Sequence, residues 1–436
     1  MGERVSVRVG LFVLAALLLA LAVACGGSTP DESPLASPSP SSSLTTPPVA
    51  TAEATHRVYI PSIQAEDRGA EATSVVPSPT PDPTPSGPTP LPPPVPKPGY
   101  GLQFNLMAGD LGQTLRRAQG LGVGWVKQQV AWHTIEHGPG DMDWAALDQA
   151  VDGAHQAGFK LLLSVTHAPD WTRAAERDSG PPVDYAQFRR FMEQLAARYR
   201  AKVAAYELWN EPNLAREWSG DALDPARFVA LVAEGAQGVR AGDPNALVIS
   251  GAPAVTGIND GQVAIDDRVF LQGMYEAGVD QWIDGIGAHP YGFANPPHES
   301  WRDESHRAPS HNEHPSFFFR DTLEDYHAIA AQHGDAERPI WATEFGWPSF
   351  DGLGDDLPNH MPYAAHVSEQ EQAAYILAAF RYGEEREWVG PMFLWNLNMS
   401  TTWGSDHPHA PYSLFRPNGA YRPAYIELRL AEPLSP

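Results

Sequence analysis

The chain has 436 residues, of which 53 are acidic and 29 basic, so its net charge is −24. A single cysteine excludes an intrachain disulfide framework and any cysteine-ligated zinc or iron–sulfur site. The acidic excess argues against nucleic acid or an anionic lipid surface as the partner, because both repel negative charge. Hydrophobic residues make up 42% of the chain and aromatic residues 10%, which is enough for a large core.

Residues 1–24 are typical of an export signal. Arg4 and Arg8 precede a run of 16 apolar or small residues, shorter than the roughly 20 that a membrane span needs. The run ends at Cys25 and resembles a bacterial lipobox, in which the cysteine becomes the lipidated N-terminus. This pattern predicts a lipoprotein of the cell envelope. The alternative is an ordinary signal peptide of a secreted protein, since residues 22–24 also fit a small-x-small cleavage site.

Residues 25–98 differ in composition from the rest of the chain. Residues 26–98 hold 19 of the 43 prolines, interspersed with Ser and Thr. Such a tract buries too little apolar surface to offset the entropy of ordering and favours extended polyproline II. We therefore expect a disordered linker over 25–98 and one folded catalytic domain over 99–436. That domain has 45 acidic and 24 basic residues, a net charge of −21.

Beyond the linker, short apolar runs alternate with stretches of helical period. Helix formation is clearest over residues 184–200, where Phe188, Phe191, Leu195 and Tyr199 recur at steps of three and four. A second helix is predicted to begin at 224–225, with aspartate as N-cap and proline in the first turn. The predicted strands cover residues 100–106, 125–132, 160–166, 205–209, 246–251, 285–289, 339–343 and 391–397.

Eight strands and about eight helices are what a closed (β/α)8 TIM barrel requires. An open doubly wound sheet is the alternative, and it would normally carry a phosphate-binding glycine turn after its first strand. The glycine-rich residues 120–124 precede a strand and open no helix, so they are interpreted as a helix-to-strand connection. The sequence therefore predicts an α/β fold of the TIM-barrel class.

Two carboxylates lie at predicted C-terminal strand ends, where barrel enzymes concentrate their chemistry. Glu211 ends the fourth strand, and Pro212 is expected to keep it extended. Glu344 ends the seventh. Either one alone would serve equally well as a helix cap or a surface ion pair. Together they fit glycoside hydrolysis, which needs one carboxyl to protonate the leaving oxygen and another to attack or stabilise the anomeric carbon.

Residues 209–212, Trp-Asn-Glu-Pro, and 343–347, Thr-Glu-Phe-Gly-Trp, resemble the signatures of clan A glycoside hydrolases, nearest to family 39 and the cellulase-like family 5. The resemblance extends over residues 100–436. It implies a retaining double displacement with Glu211 as general acid/base and Glu344 as nucleophile. It also implies that no cofactor is required.

The resemblance further assigns substrate-binding positions. Asn210 is implied to bond the 2-hydroxyl of the sugar at the cleavage point, a bond that helps if it tightens in the transition state. His167 ends the third strand at a substrate-contact position, and Trp395 ends the eighth at the sugar-stacking position. His289 and Tyr291 match the family's His-x-Tyr motif.

In that motif the tyrosine hydroxyl holds the nucleophile. A hydrogen bond from Tyr291 is expected to keep Glu344 charged and to leave Glu211 as the protonated partner. One position departs from the family. Many members carry an arginine near the end of strand two, whereas this chain has Lys127, a point charge instead of a rigid fork. Either Lys127 substitutes for that arginine or the local hydrogen bonding differs.

Aromatic and histidine side chains near strand ends allow two interpretations. The tryptophans are candidate sugar subsites or ordinary packing residues; they are Trp132, Trp171, Trp347, Trp395 and Trp403. The histidines of the late loops lack regular metal-ligand spacing, so we expect loops that shape the cleft and no metal site. They are His298, His306, His311, His314, His360, His366, His407 and His409.

Taken together, the sequence predicts an exported, monomeric glycosidase that acts on a neutral β-linked glycan. A transglycosylase, in which a sugar hydroxyl replaces water, would use the same residues. A non-catalytic cell-surface carbohydrate-binding protein on a barrel scaffold is a third possibility, because fold alone does not dictate function.

Overall fold

The computed structural model describes residues 93–174, 179–354 and 361–433. The predicted signal, Cys25 and almost all of the predicted linker lie outside the described residues. The first strand begins at Lys97, which is buried, so the folded region extends two residues beyond the predicted boundary at 99. Among the residues described, no helix is both long and apolar enough to cross a membrane.

All eight predicted strands are present, and a short unpredicted hairpin, β3–β4, follows the second. The first strand lies three residues earlier than predicted. The strands are β1 Lys97–Gln103, β2 Val123–Ala131, β3 Glu136–Gly138, β4 Asp141–Met142, β5 Lys160–Thr166, β6 Ala205–Leu208, β7 Leu247–Ser250, β8 Ile286–Ala288, β9 Ile340–Phe345 and β10 Val389–Trp395.

Helices alternate with the barrel strands. They are α1 Leu111–Gln119, α2 Ala145–Gln156, α3 Tyr185–Arg198, α4 Pro225–Gly242, α5 Asp267–Glu276, α6 Phe319–Gln332, α7 Glu369–Glu384, α8 Met399–Trp403 and α9 Pro423–Leu430. The predicted helix starts at 184 and 224 are confirmed. Asp184 accepts a hydrogen bond from the N–H of Ala186, and Asp224 accepts one from the N–H of Ala226, satisfying donors that the first helical turn leaves free.

The barrel is one parallel sheet in the order β7-β6-β5-β2-β1-β10-β9-β8. A parallel bridge between Ile249 in β7 and Gly285, just before β8, joins the two ends of this order. The predicted (β/α)8 barrel is therefore confirmed, and the open doubly wound sheet is excluded.

Side chains inside the barrel form layers, because alternate residues of a strand point to the same face. The lowest layer is apolar, and Trp125 packs edge-on against Trp341 with ring centroids 5.2 Å apart. Gly285 leaves room for this layer, since a Cβ there would lie 2.8 Å from Trp341. Two residues further along β2 and β6 come Lys127 and Glu207, both fully buried. The floor of the barrel is thus hydrophobic, and a charged layer lies between it and the mouth.

Candidate active site

A cavity of about 1000 Å³ lies at the C-terminal ends of the barrel strands. It brings together residues that are far apart in sequence, because these ends meet at one face of a barrel. Six of the predicted site residues line it: His167, Asn210, Glu211, Tyr291, Glu344 and Trp395. His289 and Lys127 do not. Both are fully buried, and their role in substrate binding stays a prediction.

Glu211 follows β6 in a left-handed backbone conformation, with φ of 45°. The expectation that Pro212 keeps it extended is wrong, because local hydrogen bonds override the preference imposed by proline. Its N–H donates to the carbonyl of Ala252 at 3.0 Å. Trp209 and His167 also have positive φ, at 83° and 54°. Such conformations cost about 1–3 kcal/mol each and concentrate where a side chain must be aimed.

Glu344 lies within β9 and its side chain is 10% exposed. Each of its carboxylate oxygens faces one donor. The Tyr291 hydroxyl donates to Oε2 at 2.9 Å, and Lys127 Nζ lies 3.4 Å from Oε1. Burial and the negative charge of Glu344 raise the pKa of Tyr291, so its hydroxyl remains a donor. The carboxylate is therefore held from both sides by charge-assisted contacts, which are stronger than hydrogen bonds between neutral groups.

Lys127 also forms an ion pair below the cavity, with Nζ 2.8 Å from Glu207 Oε2. Burial would raise the pKa of Glu207, but the positive charges of Lys127 and His289 outweigh it and lower that pKa. Lys127 thus shares one ammonium group between Glu207 and Glu344. Sequence reasoning missed Glu207. Its signal was a glutamate inside an apolar strand, in register with the inward-facing positions.

His289 lies between the two candidate catalytic glutamates. Its Nδ1 is 3.3 Å from Glu211 Oε1 and 4.0 Å from Glu344 Oε2. Those two oxygens are therefore at most 7.3 Å apart. This bound includes the roughly 5–5.5 Å typical of retaining glycosidases and only the lower end of the roughly 6.5–9.5 Å of inverting ones. Burial would lower the pKa of His289, but the charge of Glu344 and the hydrogen bond to Glu211 outweigh it and raise that pKa.

Sequence reasoning missed two charged residues beside the acid/base candidate: Arg216, which contacts Glu211, and Glu217, which contacts Arg216. Arg216 Nη2 lies 2.9 Å from Glu211 Oε2, and its Nε lies 3.4 Å from Glu217 Oε1. Burial would raise the pKa of Glu211, but the bond from His289 and the charge of Arg216 lower it to about 2. The contacts with Arg216 and His289 favour the ionised form of Glu211. The expectation that Glu211 is the protonated partner stays a prediction. The signal was a charged pair directly after the Asn-Glu-Pro turn.

Three more predicted residues present polar or aromatic groups to the cavity. The Oδ1 of Asn210 is buried and has no hydrogen-bond partner within the described parts of the chain. Burial and nearby positive charges lower the pKa of His167 to about 4, so its imidazole is neutral near pH 7. Trp395 stands perpendicular to His409, with ring centroids 5.1 Å apart. A neutral imidazole, a free amide and an aromatic face are suited to sugar hydroxyls and C–H groups.

The structure separates the tryptophans into core and cavity residues. Trp132 and Trp347 are fully buried, and the Trp132 indole donates to Glu136 Oε2 at 2.8 Å, so both are packing residues. Trp395 lines the cavity. Trp403 is 43% exposed and stacks on His407 with centroids 4.9 Å apart. A row of rings therefore leads outward from Trp395 through two histidines to Trp403.

Four of the late histidines line the cavity, namely His311, His314, His407 and His409. Over residues 93–174, 179–354 and 361–433, no three His, Cys, Asp or Glu side chains are arranged to hold a metal ion. His311 stacks on Phe293 with centroids 4.8 Å apart, and His314 Nδ1 lies 3.0 Å from the hydroxyl of Ser316. His360 is outside the described residues.

Solved structures similar to this chain share its barrel. A family 39 glycoside hydrolase from the gut symbiont Bacteroides cellulosilyticus WH2 is 19% identical, with 76% of this chain and 63% of that chain covered and a TM-score of 0.58. A glucosidase from Croceicoccus marinus is 17% identical, with 77% and 68% covered and a TM-score of 0.54. Endoglucanase Cel5A from Thermotoga maritima is 16% identical, with 76% and 97% covered and a TM-score of 0.50. At these identities the likeness concerns the fold.

The chain spans less than two thirds of the length of the family 39 structure. No curated protein matches it. The family model "Cellulase (glycosyl hydrolase family 5)" matches residues 110–383, well over half of the chain, and includes both candidate glutamates. The chain therefore belongs to the cellulase family, glycosyl hydrolase family 5, within clan A of the glycoside hydrolases.

Proposed function

We propose that this protein is a retaining glycoside hydrolase that cleaves O-glycosidic bonds of a β-linked oligo- or polysaccharide. Glu344 is the nucleophile and Glu211 the general acid/base. The observation that carries the proposal is the placement of both carboxylates in one cavity within 4.0 Å of a single imidazole nitrogen of His289. Membership of glycosyl hydrolase family 5 supports the same reaction class.

In the first step a Glu344 carboxylate oxygen attacks the anomeric carbon. The bond from that carbon to the leaving oxygen breaks, and Glu211 gives its proton to the leaving oxygen, yielding a glycosyl ester. Tyr291 and Lys127 each contact one oxygen of Glu344 and so support its orientation. Holding the nucleophile in position reduces the entropy that is lost on reaching the transition state.

In the second step Glu211 takes a proton from water, the water oxygen attacks the anomeric carbon, and the ester bond to Glu344 breaks. Two inversions return the sugar with its original β configuration. The unpartnered Oδ1 of Asn210 supports a bond to the 2-hydroxyl, which gains strength as positive charge develops at the ring carbon.

The substrate class proposed is a β-linked glycan without charge. The net charge of −21 on residues 99–436 disfavours polyanions. The row of rings from Trp395 to Trp403 provides aromatic faces beyond the cleavage point, and such faces suit the C–H surface of a pyranose.

The test uses Glu344→Gln and Glu211→Ala variants on a panel of aryl β-glycosides. Both are expected to lose about 10²-fold or more in kcat on aryl substrates with poor leaving groups. Azide should restore Glu211→Ala alone and give a β-glycosyl azide. Glu234→Gln is the matched control, because Glu234 pairs with Arg189 on the outer helices, away from the cavity.

Retained activity in either glutamate variant would overturn the assignment of roles. An α-configured first product, detected by NMR, would exclude retention. A wild-type enzyme that binds glycans without turnover would favour the carbohydrate-binding alternative. Transfer to added sugar acceptors exceeding hydrolysis would identify a transglycosylase.

We also propose that the protein is exported and anchored through lipidated Cys25, on the strength of the sequence pattern around that residue. Expression of the full chain in a bacterial host should place it in the membrane fraction, with incorporation of labelled palmitate. Cys25→Ala should abolish the label and release the protein. A soluble, unlabelled wild-type protein would instead indicate an ordinary signal peptide.

A further inference from the structure

The turn after β6 carries Glu211, Arg216 and Glu217 on a backbone that is fastened at several points. Asn213 is fully buried at its centre. The Asn213 amide donates to the carbonyls of Ala254 at 2.9 Å and Ile265 at 2.8 Å, and its Oδ1 accepts from the N–H of Ala254 at 2.7 Å. The Trp209 indole donates to the carbonyl of Glu217 at 3.0 Å. These hydrogen bonds fix the backbone of the turn, so a change in the charge contacts between the three side chains requires only rotation of the side chains.

Within this turn, Arg216 lies between two carboxylates and engages each with a different nitrogen. Nη2 is 2.9 Å from Glu211, and Nε is 3.4 Å from Glu217. The closer contact is to Glu211. The other oxygen of Glu217, Oε2, is buried and has no hydrogen-bond partner among the residues described. Glu217 therefore has unused capacity for a donor directly beside the arginine.

Glu211 has two opposite tasks if it is the acid/base of a double displacement. It must carry a proton while the leaving group departs and must be ionised when water attacks. An arginine in contact with a carboxylate favours its ionised form. The observed Arg216 contact thus suits the second task and opposes the first.

We propose that Glu217 is a positioning residue that draws Arg216 away from Glu211 during the first step and thereby lets Glu211 carry the proton. The proposal rests on the acid/base role of Glu211. With substrate bound, Arg216 turns fully to Glu217 and occupies the unpartnered Oε2. After the leaving group departs, Arg216 returns to Glu211 and stabilises the carboxylate that accepts the proton from water.

Within residues 93–174, 179–354 and 361–433, the principal charged and polar groups that act on Glu211 and Glu217 are these. Glu211 faces His289 and Arg216, and Glu217 faces Arg216, Glu211 and the hydroxyl of Ser179. Burial and the charge of Glu211 raise the pKa of Glu217 to about 7. If Arg216 moves fully onto Glu217, its charge favours the ionised form of Glu217 and no longer lowers the pKa of Glu211. One movement therefore lowers the pKa of Glu217 and raises that of Glu211.

The first test is Glu217→Gln in the full chain, assayed on aryl β-glycosides of one sugar with leaving groups of graded acidity. Without the competing carboxylate, Arg216 stays on Glu211. Glycosides with poor leaving groups, which need the acid, should lose about tenfold or more in kcat, whereas dinitrophenyl glycosides should change little. The alkaline limb of kcat should move to lower pH. Glu217→Asp, which keeps the charge, should recover part of the loss.

The second test is Arg216→Met, which should act in the opposite direction. The alkaline limb of kcat should move to higher pH, and dinitrophenyl glycosides, for which hydrolysis of the ester limits turnover, should slow. If Arg216 had a merely structural role, its removal would lower kcat equally for all substrates and would not move the alkaline limb of kcat. Glu234→Gln again controls for loss of an Arg–Glu pair.

Two outcomes separate this inference from the proposed function. If Glu211→Ala shows the steep leaving-group dependence and azide rescue but Glu217→Gln leaves the dependence unchanged, the inference is wrong and the function stands. If Glu211→Ala shows neither, the assigned role of Glu211 fails first. Shifts of the alkaline limb in the same direction for Glu217→Gln and Arg216→Met would also overturn the inference.

Discussion

Lys127 and Glu207 form a fully buried ion pair in the middle of the barrel, with Nζ 2.8 Å from Oε2. The same ammonium group lies 3.4 Å from Glu344 and 3.2 Å from the carbonyl of Thr343. One cation therefore serves two carboxylates in a place with little water. Burying charged groups is costly, because they lose their hydration. Removing one member of this set would therefore leave the others buried without full compensation of their charge.

Glu207→Gln should destabilise the protein, because it leaves Lys127 with a weaker set of partners. Removing one member of a buried pair costs about 3–5 kcal/mol. Denaturation with urea would measure the loss. Glu234→Gln should cost less than about 1 kcal/mol, since its pair with Arg189 is partly exposed. Equal small losses in both variants would contradict the importance assigned to the buried pair.

The contribution of Glu207 should also depend on pH. Its pKa is lowered in the fold, chiefly by Lys127 against the opposing effect of burial. A lowered carboxyl pKa stabilises the fold fully above the unfolded value of about 4.3, and the contribution falls as pH drops towards the folded value. The stability difference between wild type and Glu207→Gln should therefore be constant near pH 7 and shrink below about pH 4. A difference that grows on acidification would contradict this sign.

Tyr291→Phe removes the hydroxyl that holds Oε2 of Glu344. The ring remains, so the loss is of one charge-assisted bond at the reacting group. We expect kcat/KM to fall by about 10–10²-fold with little change in thermal stability. Steady-state kinetics on an aryl β-glycoside and a melting curve would test this. A large fall in melting temperature would show that the hydroxyl is needed for folding instead.

His289 should titrate differently when either neighbouring glutamate loses its charge. Glu344 and Glu211 raise its pKa against the opposing effect of burial. Glu344→Gln and Glu211→Gln should each lower it, as followed by NMR of nitrogen-labelled histidine, with His289→Gln assigning the signal. Glu234→Gln should leave the titration unchanged. An unchanged pKa in both cavity variants would show that burial governs this histidine, and an upward shift would contradict the role given to the two carboxylates.

Trp403→Ala should affect long substrates more than short ones. Its ring is 43% exposed and lies at the outer end of the row that begins at Trp395. Each stacking contact is worth about 0.5–1.5 kcal/mol, so KM for a polysaccharide should rise about 2–10-fold while aryl glycosides are unaffected. Trp301→Ala is the matched control, because Trp301 is 39% exposed and its ring faces the Arg302 guanidinium, outside the row of rings. Equal effects of both variants would argue against an aromatic track.

Residue patterns alone predicted the barrel and the region of its site. Strand and helix periods repeat eight times over the folded region, and residues at the C-terminal ends of parallel strands must meet at one face. For this reason the sequence alone predicts that Glu211 and Glu344, 133 positions apart, lie close together. Local signals of capping also placed the starts of α3 and α4.

Only the tertiary structure decides which tryptophans are buried and which charged groups contact the two glutamates. Whether Trp132 and Trp347 face the core or the cavity depends on which helices pack beside them, and both proved to be buried. The lipid anchor predicted at Cys25 and the linker predicted for the proline-rich tract rest on the sequence alone. The protonation state of Glu211, in contrast, depends on tertiary contacts with Arg216 and His289. Periodicity specifies which strands form, whereas the pKa of a carboxyl depends on neighbours that only the closed barrel brings within a few ångströms.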